Sequence, residues 1–211
     1  MKHHSTIFLD IETIPSEEKP SLESIKAPAN YKNEDTIKKY QEENQDKEWR
    51  KQSLNSLEGR ILCVGVACND GTPVVFTGTE ENILAKLETY LIAQDSITKI
   101  VAHNGMTFDY PFLFHRALRY GKRYIINYFN GSKRDVLFDT MKMIAGTDYR
   151  RMISLDNACK LIGVQGKGDI DGSMVCDYWL DGREKEIYEY CKEDVSALRK
   201  LYYALTNDDS N

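Results

Sequence analysis

Three acidic stretches hold the residues that could do chemistry. The first is Ile7-Phe8-Leu9-Asp10-Ile11-Glu12-Thr13. Side chains alternate along a strand, so Ile7, Leu9 and Ile11 share one face while Phe8, Asp10 and Glu12 share the other. The strand reads as buried on one side and acidic on the other. Two carboxylates a residue apart on one face repel unless a positive charge sits between them, and a divalent metal held by oxygen ligands is the obvious candidate. On this stretch alone a plainer alternative stands, in which Asp10 and Glu12 merely begin a solvated loop ahead of Pro15. The second stretch is Asn104-Gly105-Met106-Thr107-Phe108-Asp109, at an expected strand-to-helix junction. The third is Tyr190-x-x-x-Asp194, on the last expected helix. One helical turn separates Tyr190 from Asp194, so both point the same way. Asp194 falls next to that helix's apolar stripe, where a carboxylate needs a partner.

The elements that must position these residues can be read in order. After the opening strand comes a polar stretch, 15–58, with Pro15, Pro20 and Pro28 first and then a run crowded with Glu, Lys and Gln. Asn33-Glu34-Asp35 could cap a helix, but Tyr40, Trp49, Leu54 and Leu57 are too sparse for a core helix. The stretch reads as a partly helical insertion packed loosely on the surface, either a solvated decoration or a flap near the substrate. Residues 60–68 are apolar nearly throughout and predict a central strand, Asn69-Asp70-Gly71 a turn, and 73–77 a returning strand. Ile83, Leu84, Leu87 and Leu91 mark a helix over 80–94 with Thr79 as N-cap. A strand is expected over 97–102, and then a helix opened by Asp109, with Pro111 in its first turn and Gly121 as its stop. Residues 134–138 predict a strand, with Asp139 as the N-cap of a helix beginning at Thr140. Helices are expected over 154–161, 171–180 and 183–205, with a Gly-rich loop at 165–172. Ile187, Cys191, Val195, Leu198, Leu201 and Leu205 form the stripe of the last one. The sum is an α/β domain with a mixed sheet and helices on both faces, and the 211 residues suit a single domain.

Bulk composition narrows the partners. Hydrophobic residues are 41% and charged residues 29%, as in a globular chain. A formal net charge of -5 is not built for bulk adhesion to nucleic acid, though metal ions and local cations can offset the repulsion. The five cysteines are odd in number and none form Cys-x-x-Cys, which fits reduced thiols in a cytoplasmic protein. No apolar run approaches the roughly 18 residues of a membrane span. The start, Met1 to Thr6, carries no signal-peptide apolar block.

Each chemical signal is weak alone. Asp46-Lys47-Glu48 repeats the first spacing, Tyr31-x-x-x-Asp35 the third, and Phe138-Asp139 the Phe-Asp pair. None of these decoys combines its spacing with a buried strand end or an apolar-striped helix. The ordered set Asp10-Ile11-Glu12-Thr13, Asn104-x-x-x-Phe108-Asp109 and Tyr190-x-x-x-Asp194 resembles the motifs of the DEDD (DnaQ-like) superfamily of 3′–5′ exonucleases. The second motif has the form used by proofreading domains of family B DNA polymerases. Ser154-Leu155-Asp156-Asn157, Leu161-Ile162-Gly163 and 167–173 also resemble segments of those domains. The nearest group is the stand-alone predicted exonucleases related to the family B domain. The likeness runs over about residues 6–203, and 15–58 matches it least. One branch of the superfamily uses His-x-x-x-x-Asp in the third motif; none of the four histidines here has an Asp five residues later. Tyr190 fills the other branch's slot, so the chain is similar to the tyrosine type.

The resemblance implies an RNase H-like fold with a mixed five-stranded sheet, and a 3′–5′ exonuclease as the activity. Asp10, Glu12, Asp109 and Asp194, brought together, would suppress one another's ionisation, and two Mg²⁺ or Mn²⁺ ions roughly 3.5–4 Å apart would relieve that. One ion would activate a water and the other stabilise the leaving 3′ oxygen. Tyr190 would hold the water in line, because a phenol with a pKa of about 10 is a poor base at neutral pH. By the resemblance, Asp10 bridges both ions and the product is a nucleoside 5′-monophosphate. Thr13, Asn104, Phe108 and Lys167 are the expected substrate contacts. Asn104 could equally be a turn residue, Phe108 a core aromatic and Lys167 a solvated loop lysine. His103 reads as a satisfied strand-end histidine. The expected substrate is nucleic acid with a free 3′ end, single-stranded DNA first, with a DNA polymerase or repair protein as a partner in trans. An exoribonuclease with the same site, and a binding module that lost the reaction, are the alternatives.

Overall fold

Ten residues of strand, Ser5–Ile14 (β1), run through the middle of the molecule. The computed structural model describes residues 4–164 and 170–206. After β1 come helix α1 (Glu34–Lys51), strands β2 (Arg60–Cys68) and β3 (Val74–Phe76), and helix α2 (Glu80–Ile92). Strand β4 (Ile97–Ala102) leads to α3 (Asp109–Arg119) and α4 (Arg123–Phe129). Strand β5 (Leu137–Asp139) is followed by α5 (Thr140–Ala145), α6 (Leu155–Leu161), α7 (Val175–Leu180) and α8 (Glu184–Thr206). The five strands form one sheet in the order β3-β2-β1-β4-β5. The β1–β2 and β2–β3 pairs are antiparallel, while β1–β4 and β4–β5 are parallel.

The period-two pattern of β1 decides what covers each face. Ile7, Leu9 and Ile11 join a core with Ile83, Leu87, Leu91 and Leu113 from α2 and α3. Phe8 points the other way and packs with Val195, Leu198, Leu201 and Tyr202 of α8 and Leu155 of α6. The strand is therefore covered on both sides, and α8 lies over its acidic face, where Asp10 stays partly exposed. Helix α8 comes down onto the sheet at Gly65, where a Cβ would lie 2.8 Å from Val195 Cγ2 and 2.9 Å from Cys191 Sγ. Only a residue without a side chain lets the helix approach this closely. Gly65 is also the cross-strand partner of Asp10. On the opposite face Glu80 binds Arg116 through two hydrogen bonds, with Arg116 Nε donating at 2.7 Å, and also accepts the Ile61 amide at 2.8 Å. That buried clamp ties α2 and α3 to β2.

Several boundaries differ from the sequence reading. The strand expected over 134–138 begins only at Leu137. The Val136 amide bonds to Lys133 O and the Leu137 amide to Arg134 O, so turn hydrogen bonds take these amides, and Val136 reaches β4 only through its carbonyl, which accepts the Ile100 amide at 2.8 Å. Helix α4 is an added element, seated by buried Ile125, Tyr128 and Phe129. The helix expected from 171 starts at Val175. The 15–58 stretch contains an 18-residue helix, α1, capped by Asn33, whose side chain accepts the Asp35 and Thr36 amides. It is not loosely packed at its end: Trp49 is buried, donates Nε1–H to Ser16 O at 2.9 Å, and lies 6.1 Å from the Trp179 ring on α7.

Candidate functional site

Asp10 and Glu12 leave β1 on the same face, and Asp194 meets them from α8. One carboxylate oxygen from each of the three lies within 4.8 Å of the others. Glu12 is 8% exposed and Asp194 4%. One carboxylate oxygen of Asp10 and one of Asp194 are closed off from solvent. The convergence is a product of how α8 packs. Its apolar stripe seats Cys191 and Val195 over Gly65, and Cys191 Sγ donates to the backbone oxygen of Asp10 at 3.7 Å. One residue before Cys191, Tyr190 packs its ring against Cys63, Val175 and Ile187. Its hydroxyl donates to Asp194, and it lies in the field of Glu12 and Asp10. Burial first, then these negative neighbours, hold the Tyr190 hydroxyl well above the usual tyrosine range. It is a neutral phenol throughout the physiological range.

Asp109 is placed differently from the other three carboxylates. It opens α3, is 4% exposed, and does not belong to the three-residue oxygen cluster. Burial pushes its carboxyl up to about 7, with the charges of Asp139 and Asp194 adding to the rise. Hydrogen bonding from its own amide and from the amide of Ile11 opposes it. Ile11 lies on the part of β1 beyond Phe8, where the pairing with β4 ends. Asp109 thus stands outside the cluster, in the field of both Asp194 and Asp139.

Asp139 does more than cap a helix. Its side chain accepts the amides of Met141 and Lys142 at the start of α5, as expected of an N-cap. It also accepts the amides of Asn104 at 3.0 Å and Met106 at 3.0 Å. Those bonds hold the turn that launches α3, in which Asn104 has φ 66, a left-handed conformation that Asn tolerates better than most residues. Gly105 is required in the same turn, because a Cβ there would lie 2.5 Å from Ala102 Cβ and 2.8 Å from Tyr110 Cζ. The Asn104 carbonyl accepts the amides of Thr107 and Phe108. His103 beside it is satisfied at both nitrogens, by Thr140 Oγ1 and Ile153 O, each at 2.8 Å.

A cleft of about 680 Å³ adjoins the carboxylates. Glu12, Thr13 and Phe108 line it together with Lys47, Arg50 and Leu54 of α1 and the turn after it. Phe108 packs its ring 5.6 Å from that of Phe112 and keeps a face on the cleft. The Thr13 hydroxyl donates to Ser53 O at 2.7 Å, so it fastens the end of α1 to β1. Lys167 lies outside the described residues. Sequence reasoning left 15–58 as either a solvated decoration or a flap near the substrate and named none of the residues of the α1 wall. Asp46-Lys47-Glu48 stood out only as a decoy, and Asp46 is indeed tied to Lys19 and Arg50 rather than to the carboxylate cluster.

The donor set fits a hard divalent cation. Three carboxylates offer oxygen alone, the preference of Mg²⁺, Mn²⁺ and Ca²⁺. The nearby Cys191 thiol is turned to a backbone oxygen instead. Among the described residues, no helix is long and apolar enough to cross a membrane.

The fold is similar to that in the structure of the family B DNA polymerase from the hyperthermophilic archaeon Pyrobaculum calidifontis, with a TM-score of 0.66 and 18% identity. The likeness covers 95% of this chain and 24% of that one, so the chain spans about a quarter of the polymerase's length. The five-stranded mixed sheet with helices on both faces is thus the RNase H-like arrangement. No curated protein matches the sequence. The family model described as "Predicted 3'-5' exonuclease related to the exonuclease domain of PolB" matches residues 74–204. That span holds Asp109, Tyr190 and Asp194, and the fold brings Asp10 and Glu12 to it from the strand before. The chain belongs to this family of predicted 3′–5′ exonucleases related to the PolB exonuclease domain.

Proposed function

We propose that the chain is a metal-dependent 3′–5′ exonuclease that removes nucleoside 5′-monophosphates from the 3′ end of single-stranded DNA. The observation that carries this reading is the meeting of Asp10, Glu12 and Asp194 within 4.8 Å, beside a neutral Tyr190 bonded to Asp194. Asp10, Glu12 and Asp194 would hold two Mg²⁺ or Mn²⁺ ions, with Asp109 supporting from outside the cluster. Bound ions supply Lewis acidity, lowering the pKa of water and stabilising a leaving oxygen. The protein's share is positioning. Tyr190 spends its proton on Asp194, so its oxygen is left to accept a hydrogen bond from the attacking water. Water oxygen joins phosphorus as the bond from phosphorus to the 3′ oxygen breaks, and the leaving oxygen takes up a proton. Asn104, held at the turn, and Phe108, on the cleft, would meet the terminal nucleotide.

The rest of the reading follows from the same site. Residues 1–211 act as one exonuclease unit, with 15–58 supplying a wall of its cleft. A DNA polymerase or repair protein acting in trans would supply the strand ends, in the cytoplasm, where thiols such as the five here stay reduced. The decisive experiment is digestion of a 5′-labelled oligonucleotide with Mg²⁺ or Mn²⁺, alongside RNA of equal length. Stepwise loss from the 3′ end, faster on DNA, is expected. No loss in either metal would end the proposal. Asp10→Ala and Asp194→Ala should abolish the activity while leaving the circular dichroism spectrum unchanged.

A further inference from the structure

We propose that the turn after α1 is a jaw for the terminal nucleobase, with Leu54 opposing Phe108 across the cleft and Lys47 supplying positive charge on the same wall. The proposal rests on reading the carboxylate cluster as an exonuclease site. It concerns residues that precede the part of the chain matched by the family model.

Three observations support it. First, the cleft runs off one end of the carboxylate cluster: Glu12 lines it, but Asp10 and Asp194 do not. It therefore receives the part of a substrate on one side of the scissile phosphate, and its 680 Å³ falls within the roughly 300–1,000 Å³ of small-ligand sites. Second, Leu54 is 72% exposed yet lines that cleft together with Phe108. Its side chain does no core packing. Two apolar surfaces facing one slot suit a flat base, whose π-face packs on side chains without regard to sequence. Third, the wall is braced. Ser53 O accepts the Thr13 hydroxyl, and Arg50 binds Asp177 on α7 at 2.6 Å. Trp49 is anchored to Ser16 and set against Trp179. A jaw held by β1 and α7 loses little freedom on closing over a ligand.

Glu43 also lines the wall, 3.9 Å from Lys39, and the other charges there are compatible with an anion. Arg50 is committed to Asp46 and Asp177, and Lys51 pairs with Glu48. Asp46 is neutralised by Lys19 and Arg50. Lys47 makes no ion pair among the described residues and faces the cleft, so its ammonium is available to a phosphate as a point charge.

The test compares two chromogenic esters. One is the p-nitrophenyl ester of thymidine 5′-monophosphate; the other is the same ester of an abasic deoxyribose phosphate. Leu54 is exposed, so Leu54→Ala should fold. It should raise KM for the thymidine ester about tenfold, equivalent to about 1.4 kcal/mol of base contact, with a much smaller change for the abasic ester. Lys47→Gln should raise KM for both esters, and its effect should shrink with salt. An unchanged KM for the thymidine ester in Leu54→Ala, or an equal rise for both esters, overturns the jaw. If the wild-type chain cleaves neither ester, digestion of the labelled oligonucleotide decides the exonuclease reading. Calorimetric titration of thymidine 5′-monophosphate into wild type and Leu54→Ala then decides the jaw separately: equal affinities overturn it, and weaker binding by the variant supports it.

Discussion

The Tyr190 hydroxyl donates a hydrogen bond to the carboxylate of Asp194, one turn further along α8. The bond fixes both side chains at once, and it keeps the phenol in the field of Glu12 and Asp10 as well. Neither residue could be held this way from a loop. Both ride on a helix whose stripe is locked onto the sheet at Gly65.

Tyr190→Phe should separate orientation from binding. The ring keeps its packing against Cys63 and Ile187, so the fold stays intact. The lost hydroxyl leaves the attacking water unaligned, and kcat should fall about a hundredfold with little change in KM. The pH profile of the remaining activity should keep its shape, because burial and the nearby carboxylates hold Tyr190 above the physiological range. Loss of a basic limb in the profile of Tyr190→Phe would instead mean that Tyr190 titrates during turnover.

Asp109 makes the metal-free protein sensitive to pH. Its carboxyl is pushed up to about 7 by burial, against about 3.9 in an unfolded chain. Between those values the folded state binds more protons than the unfolded state, so stability should fall as pH rises through that window and level off above it. Urea unfolding in the presence of a chelator, repeated across the window, measures the slope. Asp109→Asn, which cannot ionise, should flatten it. An unaltered slope in the variant would assign the pH response to other carboxylates.

How far the site was legible depends on the range of the contacts involved. Asp10 and Glu12 could be placed on one face because strand period is local, and Asp194 beside a stripe because helix period is local. The cover over the acidic face of β1 was not legible. It depends on Gly65, an ordinary glycine in sequence, meeting Cys191 and Val195 far along the chain. Which residues of 15–58 reach the cleft was hidden for the same reason. The single buried anchor of α1, Trp49, finds Trp179 on α7, and no periodicity announces such a meeting. Asp139 read correctly as a cap from its neighbours, but its grip on Asn104 and Met106 crosses between two loops. The 134–136 turn was misread because Val136 suits a strand, while local hydrogen bonds decided otherwise.

Gly65→Ala should loosen the cluster without touching a carboxylate. The added Cβ meets Val195 Cγ2, Cys191 Sγ and, at 3.2 Å, the Cys191 backbone oxygen. Helix α8 must shift, at a cost of about 1–3 kcal/mol by overpacking, and Asp194 moves with it. Calorimetry with Mn²⁺ should show weaker binding than wild type, and denaturation a lower midpoint. Adding Cys191→Ala removes the sulfur from the clash, so the double variant should recover part of both losses. Wild-type Mn²⁺ affinity in Gly65→Ala would show that the approach of α8 is not what positions Asp194.

Asp139 links the turn that launches α3 to the titration of Asp109, and two substitutions can separate these effects. Oδ1 accepts the Asn104, Met141 and Lys142 amides, and Oδ2 accepts Met106. Asp139→Asn can keep the first set through its carbonyl oxygen but must give up Met106, because an amide nitrogen donates and does not accept. A loss of about 1–3 kcal/mol is expected for that bond to a charged acceptor. The substitution also removes a negative charge that raises the Asp109 carboxyl, so the pH window of the unfolding series should move to lower pH. Asp139→Ala forfeits every one of these bonds and should be less stable than Asp139→Asn, with KM for an oligonucleotide raised as the turn loosens and Phe108 drifts from the cleft. If Asp139→Ala keeps wild-type stability and the wild-type pH window, the turn is held by its own backbone hydrogen bonds and Asp139 serves only as the cap of α5.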